Sequence, residues 1–173
     1  EHFSLWFGLK GLNPINIEKF ILTASGGPLY KTPLSDFKKI KISKALSHPN
    51  WKMGRKISID SATMINKVYE VIEARKLFDI NYQKIKVIIH PKSYIHAILK
   101  FNNGLTNMIV HDTTMKIPIF NTLFSNNDRK LKTKKVDLDI LNNLNLNNVN
   151  SKRYPMIKLL DFLPDNHSLF ETV

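Results

Sequence analysis

Apolar residues along this chain gather in short blocks separated by turn formers, and the spacing inside each block predicts its element. Residues 19–24 (KFILTA) make a short, mostly apolar run that empties into Ser25-Gly26-Gly27-Pro28, the pattern of a buried strand ending in a tight turn. Residues 84–89, 94–101 and 105–111 read as three more strands, the last two joined by Asn102-Asn103-Gly104. An Asn-Gly pair between alternating runs is a strong hairpin signal, because both residues accept positive φ. Residues 33–40 and 43–46 read as short helices, and 61–78 as the main helix. Residues 116–124 and 154–162 are helices with a proline in the first turn, while 126–135 and 142–150 are polar loops. Strands and helices mix without regular alternation and without a repeat. The predicted fold is α+β, a small mixed sheet of about four strands layered with helices. The chain opens in the first turns of a helix and stops as abruptly over 167–173, as a piece of a longer protein would.

Composition narrows the classes. At 173 residues with 43% hydrophobic content, the chain can bury a real core. No apolar run approaches the roughly 20 residues that span a bilayer, and no secretory leader opens the chain, so no membrane partner is expected. With no cysteine, disulfides, thiolate metal sites and cysteine nucleophiles are excluded, and the cell interior is the default compartment. The net charge of +12 invites a nucleic-acid reading. Lysine, asparagine and isoleucine are spread throughout, however, as at 130–135 and 142–150, so the excess reads as compositional bias and no nucleic-acid partner is expected. The charge does suit an anionic small molecule.

Candidate chemistry concentrates on the main helix. At about 100° per residue, Met64, Ile65, Val68, Val71 and Ile72 fall on one side, and Asn66, Lys67, Glu70 and Glu73 on the other, with Ala74 among them. Asn66 and Glu70 are four apart and Lys67 and Glu70 three apart, so their side chains are neighbours. A solvated face is the plain explanation. The alternative is an anion cradle: Asp60 and Ser61 stand at the expected helix start, where free N–H groups attract negative charge, and Lys67 could reach back to it. Ser25-Gly26-Gly27 offers a second hydroxyl at a strand end. Trp51 is an unusual choice for a solvated loop unless it covers something, and Gly54 offers a hinge. For a metal, the carboxylates Glu1, Glu70 and Glu73, with six histidines and no cysteine, favour Mg²⁺ or Mn²⁺. No G-x-G-x-x-G loop is present, so this stretch does not bind a dinucleotide in the Rossmann manner.

LTASGGP, HPNWKMGRKISIDSATMINK followed by EVIEARKLF, and HPKSYIHAI resemble the 1-deoxy-D-xylulose 5-phosphate reductoisomerase family of the non-mevalonate isoprenoid pathway. The resemblance runs in order through nearly the whole chain. It implies a catalytic core over 1–125, with 126–173 a linker and the start of the C-terminal region. The family's N-terminal NADPH-binding Rossmann domain and C-terminal helical domain would lie outside. The implied reaction rearranges 1-deoxy-D-xylulose 5-phosphate and reduces the product with NADPH to 2-C-methyl-D-erythritol 4-phosphate. The implied cofactors are NADPH and Mg²⁺ or Mn²⁺; the implied assembly is a homodimer at full length, in a bacterial cytoplasm or a plastid.

By motif, the resemblance makes Ser25, Ser61, Asn66 and Lys67 ligands of substrate phosphate and hydroxyls, with His48 closing over the same end and Ser93 lining the pocket. Glu70 and Glu1 are the implied metal ligands and, with Lys67, the implied catalytic residues touching substrate. Trp51 and Met53 match a flap over the active site, and Gly54 and Met115 the nicotinamide side. Three departures stand out: Val68-Tyr69 for the usual Gly-Leu, Thr113-Thr114 for Pro-Asp near Met115, and Lys92 for Gln. Val68 is expected to pack in the core. A non-catalytic sugar-phosphate or nucleic-acid binding module on the same scaffold is the rival reading, and the 173 residues alone are expected to be inactive.

Overall fold

The computed structural model describes residues 1–51, 53–125, 128–135 and 137–164, so the abrupt end over 167–173 lies outside the described residues. In chain order come α1 (His2–Leu9), β1 (Ile17–Ala24), α2 (Ile42–Ala45), α3 (Arg55–Thr63), α4 (Ile65–Phe78), β2 (Ile85–Ile89), β3 (Ile95–Phe101) and β4 (Thr106–Val110). Then follow α5 (Lys116–Leu123), α6 (Leu138–Asn142) and β5 (Asn147–Asn148). Among the described residues these strands form one mixed sheet in the order β4-β3-β1-β2-β5. β1 pairs in parallel with β2, Phe20 opposite Ile85 and Ala24 opposite Ile89, and antiparallel with β3. The parallel pair needs a long crossover, which α2, α3 and α4 supply.

One face of the sheet carries the main core. Alternation along β1 puts Phe20, Leu22 and Ala24 on that face with Leu99 and Ile89, against Leu5 of α1, Val71 and Ala74 of α4, and Tyr154. α1 lies close on β3 because Gly8 lacks a side chain: a Cβ there would meet Leu99 Cδ1 at 2.9 Å. A smaller cluster of Ile88, Ile95 and Ile98 occupies the opposite face.

Several expectations need correction. The single helix expected over 61–78 is two, broken at Met64, which takes the left-handed conformation at φ 68°. Such a residue costs roughly 1–2 kcal/mol, and burial of the Met64 side chain, 2% exposed, holds it there. Ser61 therefore sits in the last turn of α3 rather than at a helix N-terminus, and Asp60 ion-pairs with Lys56 at 2.7 Å. The helix face for which a solvated surface was the plain explanation is split. Lys67 and Ala74 are buried with Val68 and Val71, because α4 packs between the sheet and neighbouring helices, while Tyr69 and Glu73 face out. Val68 is in the core, 2% exposed, as its apolar position requires. Residues 34–39 and 155–162 are 3₁₀ rather than α-helix. The sheet has a fifth strand, Asn147–Asn148, inside a stretch expected to be loop.

Candidate active site

The parallel pairing of β1 and β2 brings their C-terminal ends together, and the loops leaving them build the site, the usual place for ligands in sheets of this kind. β1 runs into Ser25-Gly26-Gly27 and β2 into His90-Pro91-Lys92-Ser93, joined where the His90 N–H donates to the Ala24 carbonyl at 2.7 Å. Gly27, at φ +65°, lies directly on the end of α3: a Cβ there would stand 2.7 Å from the Ser61 carbonyl oxygen and 3.1 Å from its Oγ. That close approach sets Ser25 and Ser61 side by side. From below, the buried Tyr154 hydroxyl donates to the Gly26 carbonyl at 2.7 Å, and Arg153 donates to the carbonyls of Leu29 and Thr32. The stretch assigned to a linker thus also braces the Ser25 turn.

At the other end of the site Lys67 is the hub. Its Nζ donates to Glu1 Oε1 at 2.9 Å, Glu70 Oε2 at 2.7 Å and the Thr23 carbonyl at 2.7 Å. An ammonium has three hydrogens, so all its donors are taken. Asn66 Nδ2 donates to the other Glu70 oxygen at 2.6 Å. Side-chain exposure is 6% for Lys67, 14% for Glu70 and 31% for Glu1. Glu1 is carried there by α1, which His2 pins to α4 through the Glu70 carbonyl at 2.9 Å and Glu73 at 3.4 Å. Burial alone would lower the Lys67 pKa, but the two carboxylates outweigh it and raise it. Burial alone would also raise Glu1, yet the Lys67 ammonium outweighs it and lowers it. Glu70 moves up, through burial and the like charge of Glu1. The cluster carries one net negative charge.

Between these ends, hydrogen-bond direction fixes what Ser25 can do. His48 Nδ1 accepts from the backbone N–H of both Asn50, at 3.1 Å, and Trp51, at 3.0 Å, so it holds no proton. The ring proton therefore sits on Nε2, 3.0 Å from Ser25 Oγ, to which it donates. Gly27 N–H also donates to that oxygen at 3.0 Å. With both lone pairs occupied, the Ser25 hydroxyl hydrogen is left to donate to a ligand acceptor. Burial lowers the His48 pKa and keeps the ring neutral. Asn50 ties the same loop to the β2 end, donating to Pro91 O at 2.7 Å and Ser93 Oγ at 2.9 Å. Ser93 holds a strained φ of +52°.

Together these groups enclose a cavity of about 290 Å³. Of the residues singled out in the sequence, Glu1, Ser25, His48, Trp51, Met53, Ser61, Asn66, Lys67, Glu70, Ser93 and Met115 all line it; Gly54 does not and is exposed at the N-terminus of α3. Sequence reasoning missed Thr23, Ile57, Met64 and His96. His96 stacks on His111 at 3.6 Å between ring centroids, and burial, reinforced by His111, brings its pKa down to about 4. Its signal was available, since it falls within HPKSYIHAI. Two carboxylates gathered on one cation are hard oxygen donors suited to Mg²⁺ or Mn²⁺. Among the described residues no group of three His, Asp or Glu is gathered so as to hold a metal ion.

Residues 1–78 match the family model described as the 1-deoxy-D-xylulose 5-phosphate reductoisomerase C-terminal domain. The reductoisomerase of Pelagibacter ubique is 54% identical over 173 residues, which are 100% of this chain and 45% of that protein. That of a Sulfurihydrogenibium species is 42% identical over 159 residues, 92% of this chain and 42% of that protein. Among solved structures, the Zymomonas mobilis reductoisomerase in complex with NADPH superposes with a TM-score of 0.81 at 31% identity, over 92% of this chain and 41% of that one. A DOX-P reductoisomerase in complex with NADPH, fosmidomycin and magnesium gives 0.79 at 33% identity, over 92% and 38%. The chain thus spans less than half the length of the relatives it matches. On its motifs, its fold and these likenesses, the chain belongs to the 1-deoxy-D-xylulose 5-phosphate reductoisomerase family.

Proposed function

We propose that this chain is the substrate- and metal-binding segment of an NADPH- and divalent-metal-dependent reductoisomerase that converts 1-deoxy-D-xylulose 5-phosphate to 2-C-methyl-D-erythritol 4-phosphate. The observation that carries the reading is a cavity that joins two carboxylates on one ammonium to a set of neutral anion ligands. Ser25, Ser61 and Asn66 hold the phosphate, Ser25 as a donor aimed by His48 and Gly27. Glu1 and Glu70 hold Mg²⁺ or Mn²⁺, which when bound polarises a carbonyl and acidifies a neighbouring hydroxyl. Binding energy from the remote phosphate fixes the carbon chain against the carboxylate end. Lys67, between the carboxylates and the phosphate ligands, orients the substrate oxygens. Trp51 and Met53 form a flap that excludes water, and Met115, with Gly54 beyond the rim, faces the nicotinamide supplied by a Rossmann domain outside this segment.

The catalytic core is 1–125, with the rest leading toward a C-terminal helical domain. The full-length protein is a homodimer of a bacterial cytoplasm or a plastid. Among the described residues no helix is long and apolar enough to cross a membrane. The carboxylates lining the cavity disfavour a phosphate polymer as ligand, which weighs against the nucleic-acid alternative. The test is NADPH consumption by the full-length protein with deoxyxylulose phosphate and Mg²⁺ or Mn²⁺. Turnover abolished in Glu70→Gln, with phosphate still bound when no divalent cation is present, is the expected result; a folded, inactive wild-type protein would remove the reading.

A further inference from the structure

We infer that the Lys67 ammonium is a built-in stand-in for the divalent cation, and that its release from Glu1 and Glu70 couples cation binding to phosphate binding. The inference rests on the assignment of those two carboxylates to the cation made above. Lys67 Nζ lies 2.9 Å from Glu1 Oε1 and 2.7 Å from Glu70 Oε2, so it occupies one oxygen of each carboxylate, in the position between them that a divalent ion would take. Two cations cannot share those oxygens at such distances without strong repulsion. Lys67 therefore gives them up when a divalent ion arrives.

A released ammonium is costly. It is buried, and of its three acceptors only the Thr23 carbonyl, at 2.7 Å, would remain. Lys67 lies on a flexible four-carbon stem and lines the same cavity as Ser25, Ser61 and Asn66. An anion held by those neutral groups supplies the missing acceptor. Charge balance points the same way. The Glu1–Lys67–Glu70 cluster carries one net negative charge and repels a phosphate dianion; with a divalent ion added it carries one net positive charge and attracts it. Among the described residues lining the cavity Lys67 is the sole lysine or arginine. The coupling is reciprocal: whatever factor the cation gives phosphate affinity, phosphate gives back to the cation.

The test uses the full-length protein carrying this segment, with Mn²⁺ alone as the cation probe and inorganic phosphate as the anion probe. Free Mn²⁺ is followed by electron paramagnetic resonance. In the wild type, saturating phosphate should tighten Mn²⁺ binding by about tenfold or more. In Lys67→Met, Mn²⁺ should bind tighter than in the wild type without phosphate, because no internal cation competes, and phosphate should no longer tighten it. Lys67→Gln, which keeps a donor for the Thr23 carbonyl, repeats the comparison if the methionine variant does not fold. A wild-type Mn²⁺ affinity indifferent to phosphate, or a weaker Mn²⁺ affinity in the folded lysine variants, overturns the coupling. Glu70→Gln separates the two levels. If it leaves Mn²⁺ affinity unchanged, the carboxylate assignment is wrong and the coupling falls with it; if it weakens Mn²⁺ binding, the assignment holds and the lysine variants decide.

Discussion

Gly27→Ala tests how the Ser25 turn is placed. The residue stands at φ +65°, where a side chain costs roughly 1–2 kcal/mol in backbone strain. Its Cβ would also stand 2.7 Å from the Ser61 carbonyl oxygen and 3.0 Å from the Ser61 carbonyl carbon. Those are backbone atoms of α3 and cannot swing aside, so the turn itself must lift, at an overpacking cost of about 1–3 kcal/mol. Gly11 supplies the control: its φ is +71°, but a Cβ there would have nothing within 4 Å, so Gly11→Ala carries the backbone cost alone. Urea unfolding of the full-length protein should show Gly27→Ala the less stable of the two variants by about 1–3 kcal/mol. Because the lift parts Ser25 from Ser61, phosphate affinity should also drop in Gly27→Ala and stay unchanged in Gly11→Ala. Equal stabilities for the two variants, or unchanged phosphate affinity in Gly27→Ala, would refute the close-approach reasoning.

Two other positions make the same geometry measurable. Asn50→Ala removes the bonds to Pro91 O and Ser93 Oγ and frees the loop that holds His48, so the KM for substrate should rise about tenfold with a smaller change in kcat; steady-state kinetics with an unaltered KM would count against it. His96 is a base whose pKa falls to about 4 on folding, so between pH 4 and its free value of 6.5 the unfolded chain binds more protons. Its contribution to stability is therefore complete above pH 6.5 and lost as pH falls toward 4. That amounts to roughly 3 kcal/mol, and His96→Asn should flatten the pH dependence of urea unfolding by about that much; parallel curves for the two proteins would contradict it.

What could be read from the chain was local. The strands were legible because continuous apolar runs end at Gly, Pro and Asn, and the β3–β4 hairpin because Gly104 takes φ +87° in its turn. Long-range effects were hidden. β5 pairs two asparagines with Ile88 and Ile89 through the backbone alone, so no side-chain pattern marks it. The break at Met64 forces a residue that rarely adopts positive φ into the left-handed region, and only the surrounding core explains it. Lys67 was singled out as a ligand, but its burial between two carboxylates was not legible because its partner Glu1 is 66 positions away. The gathering of the candidate site residues likewise needed the motif as a whole, since composition and periodicity say nothing about which distant loops meet. His96 lies within a motif that was noticed, but strand alternation offers no sign of its stack on His111.

The most direct measurement is anomalous scattering from Mn²⁺ in crystals of the full-length protein with phosphate present. A single strong peak between the Glu1 and Glu70 carboxylates, with phosphate on Ser25, Ser61 and Asn66 in the same cavity, is the expected result. A peak elsewhere in an enzyme that still turns over, or phosphate bound outside this cavity, would contradict it.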